Sequence, residues 1–137
     1  MLRILVVVLY LLPVSRPVHA MVENWTVYDL GSARTEAVCV GAAQETFEEF
    51  AMTFGARKMA RGSWVVYAWG LARGQYDAII TCALASGGTS RATLIIYAED
   101  SVLGSIHGER IWNLFSDHNQ RLGDKYVNDA LEQHGLN

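Results

Sequence analysis

The feature that most constrains this chain is a change of hydrophobic period, with one cysteine on the apolar side of each half. From Arg34 to Phe54 the apolar residues Cys39, Ala43, Phe47, Phe50 and Phe54 recur at spacings of 4, 4, 3 and 4. That spacing traces one face of an α-helix. Glu36, Gln44, Glu45, Glu48 and Glu49 lie largely off the stripe. Ser32 is the expected N-cap and Gly55 the expected C-cap. After Gly62 the period becomes two. Trp64–Trp69 has the aromatic and β-branched composition of a strand, and Gly70–Gly74 reads as a glycine-bounded hairpin loop. In Gln75–Leu84 the residues Tyr76, Ala78, Ile80, Cys82 and Leu84 share one face. A turn at Ser86–Thr89 leads to a third strand, Arg91–Ala98.

The flanks complete the layout. Thr26–Leu30 alternates weakly and is expected to be a short first strand. Beyond Ala98 the helical period returns. Ile106, Arg110, Ile111, Leu114, Phe115, His118 and Leu122 form a broad face, with Ser101 or Ser105 as the cap. Gly123 is expected to break this helix, and Asp124–His134 to form a short one with Tyr126, Val127, Ala130 and Leu131 turned inward. The expected fold is α+β: a three- to four-stranded antiparallel sheet, covered on one face by two main helices, in a single two-layer domain. Tyr67, Trp69 and Tyr97 fall on the uncovered face and make a candidate binding surface.

Residues 1–20 fix how the cysteines are read. Arg3 precedes an unbroken apolar run, Ile4–Leu12, and Val18-His19-Ala20 ends with the small-residue exit of a secretory signal peptide. The run is about half the roughly 20 residues that a membrane span needs, so removal is expected over an uncleaved anchor. Met21 lies just past the exit, which keeps open a later start. The working domain is then 21–137, exported to a periplasm or extracellular space, with no stable membrane insertion. In such a compartment a disulfide between Cys39 and Cys82 is the default expectation, with two free buried thiols as the alternative. A catalytic cysteine lacks a Cys-x-x-Cys motif and an electropositive, accessible setting.

The residues Gly74, Tyr76, Ala78, Ile80 and Cys82, together with Cys39, resemble a pattern in small exported bacterial proteins of unknown function. Those proteins have a helix–three-strand–helix layout, one cysteine in the first helix and one at the end of a strand. The resemblance covers about Val38 to Leu122 and implies a fold and a disulfide but no activity.

Charge narrows the partners. The chain has 11 basic and 14 acidic residues, and loss of Arg3 and Arg16 with the leader takes the net charge from −3 to −5. The acidic residues are dispersed, and the densest basic patch is only Arg57, Lys58 and Arg61. Nucleic-acid binding needs clustered cations and is not expected. His107, Glu109, Asp117 and His118 are the one histidine–carboxylate cluster. His107 and His118 stand eleven residues apart, about 16 Å along a helix, too far for one metal ion. No metal, cofactor or catalytic residue is expected. Gly87-Gly88-Thr89-Ser90 lacks the lysine of a phosphate loop. Asn24-Trp25-Thr26 is an N-glycosylation triplet, relevant only in a eukaryotic secretory pathway. The favoured expectation is a non-enzymatic exported domain that binds a protein or glycan through the sheet face or the Gly70–Gly74 loop. The alternatives are a small periplasmic hydrolase built on His107 with Glu109 and Asp100, and an uncleaved, membrane-tethered subunit.

Overall fold

The computed structural model describes residues 24–135, so the leader, the exit at Ala20 and the start at Met21 lie outside the described residues. The elements are β1 (Asn24–Ala33), α1 (Glu36–Phe54), β2 (Lys58–Arg61), β3 (Val65–Gly70), a one-turn segment α2 (Leu71–Gly74), β4 (Tyr76–Leu84), β5 (Ser90–Ala98) and α3 (Ser101–Gln133). The strands form one antiparallel sheet in the order β1-β5-β4-β3-β2. The sheet therefore has five strands, not three or four. The missed strand is β2, an edge strand whose Lys58, Met59 and Arg61 are exposed and so carry no buried alternation.

Both main helices lie on one face, as expected. Tyr76, Ala78, Ile80 and Cys82 of β4 and Ala92, Leu94, Ile96 and Ala98 of β5 turn toward them and are buried. Cys39, Ala43, Phe47 and Phe50 of α1 are fully buried against them, while Phe54 is half-buried. The cysteines are joined: the Cys39–Cys82 disulfide has a Cα–Cα distance of 5.9 Å. It links the first helix to a strand, as the resemblance implied, although that layout lacks the additional strands β1 and β2.

Local chemistry sets the helix limits. Thr35, not Ser32, caps α1, its Oγ1 accepting from Val38 N at 3.1 Å. Ser32 lies within β1, which runs longer than expected. Asp100, not Ser101 or Ser105, caps α3 by accepting from Val102 N and Leu103 N. α3 runs 33 residues without a break, about 50 Å. Gly123 thus sits inside a continuous helix. Its penalty, about 1 kcal/mol relative to alanine, is small beside the packing that holds the preceding turns. Of the apolar residues beyond it, Tyr126 and Leu131 are exposed and not turned inward, as is Ile106 nearer the start, whereas Val127 and Ala130 are half-buried.

Small residues bring α3 close to its neighbours. A Cβ on Gly108 would clash with the Tyr28 ring, and one on Gly104 would lie 3.0 Å from Ala98. α3 also covers the free edge of β1. Trp112 Nε1 donates to the Asp29 carbonyl and Asn119 Nδ2 to the Ser32 carbonyl, both at 3.1 Å. Two outcomes follow for stability. Gly108→Ala should destabilise by roughly 1–3 kcal/mol through overpacking on Tyr28, whereas Gly123→Ala, with nothing within 4 Å, should stabilise by up to about 1 kcal/mol; urea unfolding of each variant measures both. Reducing the disulfide, which closes a loop with a sequence separation of 43, should cost about 4 kcal/mol on chain-entropy arithmetic, read from denaturant midpoints of oxidised and reduced protein.

Candidate functional site

The sheet face turned away from the helices carries the candidate surface. Because side chains alternate across each strand, the residues between the buried ones line this face. The register sets them in rows. One row runs Trp25–Tyr97–Asp77 across β1, β5 and β4. Ala68 pairs with Ala78, so Trp69 falls next to Asp77 in that row, and Lys58 pairs with Trp69 at its end. A second row is Val27–Ile95–Ile79–Tyr67–Ala60. A third is polar, with Asp29, Thr93 and Thr81.

The three residues expected on this face, Tyr67, Trp69 and Tyr97, are all there, and they come in two aromatic groups. Tyr67 stacks on Trp69 with centroids 5.4 Å apart and planes 9° off parallel. Tyr97 meets Trp25 at 4.9 Å with a 50° tilt. Trp25 is the residue that sequence reasoning missed. It has the same parity as Val27 and Asp29, and a strand begun one residue earlier than Thr26 places it beside Tyr97. Trp25 is 56% exposed, Val27 64% and Trp69 36%, so the apolar surface is open to solvent. Between the aromatic groups is a slot of about 240 Å³ lined by Trp25, Trp69, Asp77, Ile79, Ile95 and Tyr97.

The slot has polar groups at set positions. Asp77 Oδ1 accepts from Gly70 N at 2.8 Å, which fixes the carboxylate to the loop after β3. Lys58 Nζ lies 5.5 Å from the centre of the Trp69 ring, a cation–π contact. At the polar row, Asp29 pairs with Arg91 and accepts from Gly31 N. The Gly31 N–H and the Arg91 guanidinium together hold the Asp29 carboxyl below its usual value.

The Gly70–Gly74 loop is wound left-handed. Gly70, Ala72, Arg73 and Gly74 all have positive φ, from 49° to 93°. Two of the four are not glycine, a conformation L side chains adopt at a cost. Surrounding bonds hold it: Ala72 N donates to Gly55 O, Gln75 N to Leu71 O, and the Arg57 side chain lies over Gly70 and Gly74. The loop thus shapes one end of the slot through Gly70 and Asp77.

The residues of the hydrolase expectation are placed apart. The His107 ring packs between Phe50, Phe54 and Tyr76 at centroid distances of 5.4, 5.1 and 5.1 Å. His107 Nδ1 and the Tyr76 hydroxyl are buried with no hydrogen-bond partner among the described residues. Asp100 is engaged as the α3 cap. Glu109 and Asp117 line a separate groove between α1 and α3. His118 meets Glu49 at 2.9 Å and Glu45 at 3.0 Å, in a surface network with Arg121. Among the described residues, no group of three His, Cys, Asp or Glu could hold a metal ion, and no helix is long and apolar enough to cross a membrane.

Burial holds His107 below its usual value, with Arg110 adding to the effect, and pushes the Tyr76 phenol up to about 12. Below about pH 6.5 the unfolded chain takes up a proton that folded His107 resists, so stability is lost as pH falls through that range. Urea unfolding between neutral pH and about pH 5 should therefore show a steeper loss for the parent than for His107→Phe; equal slopes would leave His107 without this role.

Comparison with protein-family models, with curated proteins and with solved structures returned no match.

Proposed function

We propose that this chain is an exported, non-enzymatic domain, spanning 21–137 after removal of a signal peptide, that binds its partner through the open face of the sheet. The observation that carries the reading is the grouping of Trp25, Tyr97, Trp69 and Tyr67 on the one sheet face that no described helix covers. Exposing large aromatic residues together runs against the tendency of soluble surfaces to keep apolar patches small, and such patches mark interaction sites. Aromatic side chains also supply much contact area for little loss of conformational freedom. A partner protein or a glycan fits such a surface. The disulfide supports export, since such bonds persist in oxidising compartments. Binding is favoured over hydrolysis because His107 makes no hydrogen bond to Glu109 or Asp100, and the slot contains no histidine.

The test is substitution of the face as a unit. Trp25, Trp69 and Tyr97 are changed together to alanine, with Trp64→Ala as the control, since Trp64 is 52% exposed but lies outside the strands. The purified proteins are compared for retention of envelope components from the native compartment. The triple variant should keep its disulfide and circular dichroism and lose at least about ten-fold in affinity for whatever the parent retains. A triple variant that retains the same components as the parent contradicts the reading.

A further inference from the structure

We infer that the aromatic row is a cleft for a neutral oligosaccharide, laid across the strands; this rests on the open face being the binding surface. The charge pattern selects the ligand class. Trp69 is bracketed by Lys58 on one side and Asp77 on the other. A cationic ligand over Trp69 would meet the ammonium of Lys58, and an anionic one the carboxylate of Asp77. An uncharged ligand that both donates and accepts hydrogen bonds satisfies the two together. Sugar rings have that character: a C–H face that packs on aromatic rings and an edge of hydroxyls that donate and accept.

The geometry suits such a ligand. The rings of Trp25, Tyr97 and Trp69 flank a slot with Ile79 and Ile95 also in its lining. This is the arrangement of a specific site, a mostly apolar lining with a few placed polar groups. Asp77 Oδ1 is held by Gly70 N, so the carboxylate is oriented before binding. Pre-set groups reduce the ordering cost of association. The row from Trp25 to Trp69 crosses four strands, about 14 Å at the usual strand spacing, which is longer than a single sugar ring and so points to a chain. Packing a second copy on this face would remove Lys58 and Asp77 from water and set the polar row of Asp29, Thr81 and Thr93 inside the contact, a costly burial without matched partners.

The experiment titrates the purified protein with neutral hexasaccharides of β-linked glucose, N-acetylglucosamine and mannose, alongside a sulfated hexasaccharide and choline. Tryptophan emission and calorimetry read the binding, and light scattering reads the mass. The expected result is saturable binding of at least one neutral hexasaccharide, with an affinity that salt leaves unchanged, since no net charge is neutralised. Trp69→Ala and Trp25→Ala should weaken it at least about ten-fold, and Trp64→Ala should not. Asp77→Asn keeps an acceptor for Gly70 N and should weaken binding several-fold without unfolding the chain. Failure of all three neutral hexasaccharides overturns the inference. So does tighter, salt-sensitive binding of the sulfated sugar or choline, or a dimer lost in Trp69→Ala. If in addition the triple variant of the face keeps the parent's envelope partners, the underlying reading falls as well; if it loses them, that reading stands and only the sugar assignment is overturned.

Discussion

The Cys39–Cys82 disulfide is the contact on which the arrangement depends, because it ties the helical layer to one face of the sheet. The bond holds the Cα atoms of helix and strand 5.9 Å apart, within the ordinary range for a disulfide. Small side chains make room for it. Ala42 and Ala43 stand beside the cystine on α1, and Ala92 lies directly opposite Cys82 on β5. With α1 seated over the middle of the sheet, α3 takes the flank above β1 and β5, where Gly104 and Gly108 let it approach. Both helices therefore occupy the same face. No described helix covers the other face, and the strand register gathers Trp25, Tyr97 and Trp69 into one row with Tyr67 in the next.

The same constraint separates the two groups of aromatic residues. Tyr76 packs with Phe50, Phe54 and the His107 ring on the helix-covered side, where its hydroxyl and the imidazole are expensive to charge. One position along β4, Asp77 points the opposite way and enters the slot with Trp69 and Tyr97. A one-residue difference thus separates the helix-covered face from the opposite one, as the period of a strand requires. The left-handed loop from Gly70 to Gly74 couples the two sides: Leu71 and Ala72 are buried while Gly70 holds Asp77.

Much of this was legible in the sequence where one strong period dominates. The stripe from Cys39 to Phe50, the inward set from Tyr76 to Cys82 and the outward Tyr67, Trp69 and Tyr97 follow directly from side-chain geometry. The failures have physical causes. β2 is a short edge strand with exposed lysine and arginine, and its pairing is set by β3 rather than by its own pattern. Gly123 carries a weak local penalty that a long, packed helix overrides. Trp25 falls outside the expected first strand, which starts at Thr26; its partner Tyr97 is remote in sequence, and only the register joins them. Asp100 outcompeted two nearby serines as a cap, a choice among similar residues that spacing cannot make.

On the function proposed above, the protein meets its partner through the open face of the sheet. Oxidative footprinting read by mass spectrometry probes that face, comparing the purified protein with the same protein in its native compartment. Trp25 and Trp69 should label readily in the purified protein and be protected in place, while Trp64 labels in both settings and Tyr76 and Phe115 in neither. Equal labelling of Trp25 and Trp69 in the two settings would contradict the claim.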